Sequence, residues 1–167
     1  MITHILKYLL RFVVLVLVQV LFLKNIPFLG FATPYIYVLF ILTFPIKCPR
    51  TLFLLIAFAL GATIDIFLDT LGLHIFSTVL IAFLRPYILN LFITKDNTAY
   101  FSPSVKFIGL APFIKYTIVM VFIHHTVLFS LEAFSFAHFW LLLLKVLLNV
   151  TFSSLLIFAT QINPRKK

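Results

Sequence analysis

Residues 49–93 read PRTLFLLIAFALGATIDIFLDTLGLHIFSTVLIAFLRPYILNLFI. Two apolar runs, 49–68 and 73–93, flank the break Asp69-Thr70-Leu71-Gly72. At about 1.5 Å of rise per residue, each run is long enough to cross a hydrocarbon layer of about 30 Å as a helix. Gly72, free to take a positive φ, lets the second helix turn back against the first. The stretch therefore reads as a helical hairpin built for a membrane.

The rest of the 167-residue chain agrees. It is 63% hydrophobic and 10% charged, with a mean hydropathy of +1.21. Soluble domains are roughly 45–50% apolar and about 25% charged. So few polar residues cannot cover the apolar surface, which excludes a soluble fold. With 22 Phe, 6 Tyr and 1 Trp, the composition also excludes disorder. Cys48 is the only cysteine, so neither an intramolecular disulfide nor a cysteine metal site can form.

Working outward gives an all-α membrane protein, a single transmembrane domain over 1–167. Its six helices are expected at about residues 8–23, 34–44, 49–68, 73–93, 112–131 and 136–159. The first begins like a signal peptide but has no small-residue cleavage site after Leu23, so it is expected to be a retained span. Thr33-Pro34 reads as an N-cap and first helical residue. The span it opens stops before Pro45 and is short, which calls for bilayer thinning, tilted neighbours or help from residues 26–32. Pro86 should kink the fourth helix. Residues 94–104 form the long polar loop. Pro34-Tyr35-Ile36 echoes Pro86-Tyr87-Ile88, as biased composition readily produces.

Six spans place ten of the 13 cations on the side of the termini and only Lys24 on the other, with Arg85 and Lys145 inside. That asymmetry makes both termini cytoplasmic. The net charge of +9 is then a topology signal and an attraction to anionic lipid, not a nucleic-acid footprint.

Ionisable groups within spans face the bundle interior and mark candidate sites. Ala57, Gly61, Asp65 and Asp69 follow one another at steps of four. His74, Thr78 and Arg85 share a face of the next helix, and His138, Lys145, Asn149 and Ser153 a face of the last. Depth favours an Asp65–Lys145 ion pair, with His74, Arg85 and Asn149 completing a buried polar network. Asp69, His125 and Glu132 would form a polar cluster at the outer end. The small residues Ala57 and Gly61 would let a partner's helix pack closely. His124 and His125 are ~100° apart around their helix and would not share one metal. His138 and Trp140 read as interface anchors. No HExxH, GxSxG or phosphate-binding glycine loop occurs, and no catalytic residue, metal or cofactor is expected.

The stretch from Leu60 to His74, LGATIDIFLDTLGLH, resembles the central motif of the rod shape-determining protein MreD family. That motif is Gly, three residues, Asp, then a short turn and Leu-Gly before the next span. Leu84-Arg85-Pro86, Phe101-Ser102-Pro103-Ser104, Ile123-His124-His125 and Leu131-Glu132-Ala133-Phe134-Ser135-Phe136 add shorter matches. The resemblance implies a bacterial inner-membrane scaffold without catalytic activity, helping to localise and regulate side-wall peptidoglycan synthesis and cell shape. Its implied partners are MreC directly, then RodA, a class B penicillin-binding protein and, indirectly, MreB. The family is similar in fold to substrate-binding subunits of energy-coupling-factor vitamin transporters, the alternative assignment. Those subunits commonly carry Ala-x-x-x-Ala in the first helix, whereas residues 12–21 here contain no alanine.

Overall fold

The computed structural model describes residues 2–25, 33–93, 102–134 and 138–162. All the regular structure among them is helical: α1 (Ile2–Leu17), α2 (Val38–Leu42), α3 (Arg50–Leu68), α4 (Leu73–Asn90), α5 (Val105–Ile108), α6 (Leu110–Ala133) and α7 (Phe139–Ile162). α1 continues through a π-helical turn, Val18–Phe22, and a 3₁₀ turn, Leu23–Asn25. Four helices, α3, α4, α6 and α7, are long and apolar enough to cross a membrane.

The packing is inverted relative to a soluble domain. Leu55, Phe58 and Ile66 of α3, Phe76 of α4, and Trp140, Leu141 and Leu144 of α7 are exposed. Gln19, Asp65, His74, Arg85, His124, His125 and Asn149 are buried. In lipid the outer surface needs no polar cover, while interior polar groups must find one another.

α3 and α4 form the hairpin read from the sequence. Asp69, at φ 57°, ends α3 in the left-handed region, and its N–H returns to the Asp65 carbonyl. Gly72, at φ 85°, then opens α4. Gly61 sits where the two helices cross. A Cβ there would lie 2.4 Å from Thr78 Oγ1, 2.6 Å from Ile75 Cα and 2.8 Å from the His74 carbonyl oxygen. The small-residue face is therefore filled by the chain's own α4, with Ala57 and Gly61 both buried, and is not free for a partner helix.

The helix expected over 34–44 is mostly not a helix. Only Val38–Leu42 is α-helical, and residues 33–35 have no regular structure. Every residue from Ile36 to Phe44 is buried, as expected of an element apolar all round and enclosed by other helices. α2 packs against α1, α4 and α6. α4 runs on through Pro86 to Asn90. Pro34 and Tyr35 are unwound, whereas Pro86 and Tyr87 are helical, so the sequence echo is not a structural repeat.

Candidate functional site

The polar interior falls into three sets that meet at His74 and Ser153, with Arg85 and Lys145 outside them. Asp65 stands in the last turn of α3, where the left-handed stop at Asp69 brings the chain back over it. Its Oδ1 accepts the Thr70 hydroxyl at 2.6 Å and the His74 N–H at 3.0 Å, and its Oδ2 accepts the Ile75 N–H at 2.8 Å. The carboxylate thereby caps α4, whose first N–H groups have no partner within the helix and whose dipole favours a negative charge.

The second set encloses residues 33–36. The Thr33 N–H donates to Asn149 Oδ1 at 2.8 Å and the Tyr35 N–H to Ser153 Oγ at 2.9 Å. The Ile36 N–H donates to Gln19 Oε1 at 2.9 Å, and Gln19 Nε2 donates to the Pro34 carbonyl at 3.2 Å. These side chains replace the i→i−4 bonds of a helix. That is why the segment is unwound despite its Thr-Pro start, and how irregular backbone survives in an apolar interior.

The third set is aromatic and imidazole. The Tyr37 hydroxyl bridges His74 Nδ1 at 2.7 Å and His124 Nε2 at 2.8 Å. His125 Nδ1 reaches the Val121 carbonyl at 2.8 Å, and its Nε2 reaches Ser153 Oγ at 3.1 Å. Tyr35 lies against His74, His124 and His125, with ring centres 5.3, 6.4 and 5.4 Å away. No group of three or more metal-ligating side chains occurs among the described residues.

The expected Asp65–Lys145 pair does not form. Lys145 Nζ instead lies 2.8 Å from Glu132 Oε2, and both side chains are partly exposed. The turn at 69–72 spends the Asp65 carboxylate on backbone N–H groups. Lys145, on a flexible stem, reaches outward to the acid at the end of α6. Arg85 belongs to neither set: it donates to the Phe44 carbonyl and, at 3.3 Å, to the Tyr116 hydroxyl. Asn149 serves the unwound segment. The expected outer cluster also separates, because Asp69 is an exposed helix stop, His125 bonds Ser153 and Glu132 pairs with Lys145.

A cavity of about 200 Å³ opens beside the unwound segment, lined by Gln19, Lys24, Thr33, Tyr35, Thr70, His74 and Glu132. A larger one of about 440 Å³ lies between α6 and α7, with apolar walls and Glu132, His138 and Lys145 along it. Sequence reasoning missed Tyr37, Tyr116 and the role of Gln19. The signal for Gln19 was its position as the lone polar residue from Phe12 to Leu23. The tyrosines carried no such signal, since nothing in their spacing distinguishes them from packing aromatics.

No family model, curated protein or solved structure matches the chain.

Proposed function

We propose that this chain is a non-catalytic scaffold of the bacterial cell-elongation machinery, crossing the inner membrane six times with both termini cytoplasmic. It binds MreC directly and, through it, acts with RodA, a class B penicillin-binding protein and MreB filaments. The observation that carries the reading is the use of Asp65. Asp65, one of two carboxylates within Leu60–His74, accepts three hydrogen bonds, one from Thr70 in the turn and two from the first N–H groups of α4, and so ties α3 to α4. A carboxylate so engaged organises a fold rather than turning over a substrate, which supports the scaffold.

Six crossings are supported by contacts at the two ends of the bundle. At one, Tyr8 meets Ser102 at 3.1 Å. At the other, Lys24 Nζ donates to the Phe67 carbonyl at 3.2 Å. The return of residues 33–44 between them is short for a helix. Residues 33–35 have no regular structure, and unwound backbone covers more length per residue than helix, which lengthens the short return.

The transporter-subunit reading is favoured by one observation, the polar cavity beside Tyr35 and His74. Its volume of about 200 Å³ is below the roughly 300–1,000 Å³ typical of small-molecule pockets, whereas the cavity between α6 and α7, at about 440 Å³, lies within that range. Purification of the tagged protein in mild detergent separates the two. Co-purifying MreC supports the scaffold, whereas a stoichiometric bound vitamin without MreC overturns it.

A further inference from the structure

Where α3 begins and α4 ends, the chain forms a partly open cavity of about 310 Å³ whose lining includes Cys48, Arg50, Phe53, Arg85 and Asn90. Arg85 is only 4% exposed. Among the described residues its partners are neutral: the Phe44 carbonyl, the Tyr116 hydroxyl and the Phe53 ring, whose centre lies 4.9 Å from the guanidinium carbon. Arg50 is held toward the same cavity by stacking 4.4 Å from the Phe83 ring centre, and it donates to the Tyr87 hydroxyl at 3.4 Å. Two cations thus line one partly open cavity.

Neither has a carboxylate partner among the described residues, whose one ion pair is Lys145–Glu132. The chain has four carboxylates. Asp65 and Asp69 stand at the opposite end of α3, and Glu132 is engaged by Lys145. The fourth, Asp96, lies outside the described residues. A buried guanidinium without a counter-charge is costly, and a second cation beside it raises that cost. The start of α3 adds to the positive potential, because Pro49 provides no side-chain cap for the first N–H groups. A guanidinium fork matches phosphate oxygens in charge and geometry.

We propose that this cavity binds a phosphate group, with Arg85 holding it from within and Arg50 at the rim. The ligand is either the headgroup of an anionic phospholipid or a free phosphate. The proposal does not depend on the scaffold assignment, since it rests only on this end of the bundle.

The full chain tests it, with two readouts. One is retained lipid in native mass spectrometry after reconstitution with phosphatidylglycerol or phosphatidylcholine. The other is the rate of maleimide alkylation at Cys48, the single cysteine, with and without inorganic phosphate in lipid-free detergent. Retention of phosphatidylglycerol over phosphatidylcholine supports the site and assigns a lipid headgroup. Protection of Cys48 by inorganic phosphate supports the site and assigns a free anion. Arg50→Gln should weaken either effect about tenfold, as expected for loss of one charge-assisted contact. Because Arg85 also ties the Phe44 carbonyl to Tyr116, Arg85→Gln risks misfolding, and the test stands on exposed Arg50 alone if it does. Equal retention of both lipids with no protection by phosphate overturns the proposal, as does an Arg50→Gln variant that behaves like the parent. So does a loss of folded protein in Asp96→Asn equal to that in Arg85→Gln, which would make Asp96 the counter-charge.

Discussion

Asp65 and His74 are joined across the turn between two helices: the carboxylate Oδ1 of one accepts the backbone N–H of the other at 3.0 Å. With Ile75 on Oδ2 and Thr70 also on Oδ1, this makes Asp65 the pin of the α3–α4 hairpin. Hydrogen bonds to a charged group contribute about 1.5–3 kcal/mol each. Asp65→Ala should therefore lower thermal stability in detergent sharply, and Asp65→Asn, which keeps one acceptor oxygen, less so. Lys145→Met should add its own loss independently, because the two residues do not touch. A coupling above ~1 kcal/mol between them would contradict the geometry.

Gly61→Ala should destabilise the hairpin by about 1–3 kcal/mol, the usual cost of overpacking. Two of the three atoms that a Cβ would meet belong to the α4 backbone and cannot rotate away. Fluorescence-detected size-exclusion chromatography of heated samples would reveal the shift, and Gly61→Leu should fare worse. Partner recovery should fall only as folded protein falls, since this face already belongs to α4.

The Glu132–Lys145 pair should matter little. It is 2.8 Å long, but its side chains are 37% and 47% exposed, in either order a site open to screening. Exposed pairs contribute ~0–1 kcal/mol. A double-mutant cycle with Glu132→Gln and Lys145→Met, read by thermal unfolding, should give a coupling in that range that shrinks with added salt.

Gln19→Leu should be among the most harmful single changes in the first helical stretch, despite raising its hydrophobicity. It leaves the Ile36 N–H and the Pro34 carbonyl without partners in an apolar interior, at about 1–3 kcal/mol for each buried orphan. Gln19→Glu keeps an acceptor for the N–H and should lose less. Yield of monodisperse protein after detergent extraction provides the comparison.

Cys48 lies in the turn between α2 and α3. Burial pushes its thiol pKa above the ordinary value, against an opposing pull from the Arg85 charge. The raised pKa leaves less thiolate near neutrality. Maleimide alkylation should therefore be slower than for a free cysteine at pH 7 and should climb as pH rises through the alkaline range. Equal rates for Cys48 and a free thiol would exclude the shift.

The hairpin was legible because its two runs are long, uniformly apolar and broken at one place by an acid, a polar residue and a glycine. The short second element was not. Its Thr-Pro start and apolar run match a helix, and only the approach of Gln19, Asn149 and Ser153 from distant helices makes unwinding competitive. Pairing failed for a related reason. Depth along a helix set Asp65 near Lys145, but depth says nothing of azimuth, nor that the turn after Asp65 and the first turn of α4 would supply three donors between them. Gly61 reads as a place for a partner chain's helix, whereas the helix against it is the chain's own α4, a neighbour that one sequence does not identify.

The clasp around residues 33–36 also constrains how the chain is made. Its donors and acceptors come from Gln19 near the beginning of the chain and from Asn149 and Ser153 near the other end. While the ribosome is still working, the Thr33 and Tyr35 N–H groups have no lawful place in lipid, because the residues that will receive them do not yet exist. The segment must wait in water, in the insertion machinery or at the bilayer surface until α7 emerges. The bundle therefore cannot be completed before α7 has been inserted, and a nascent chain halted before Asn149 is an unfinished protein that quality-control proteases can recognise.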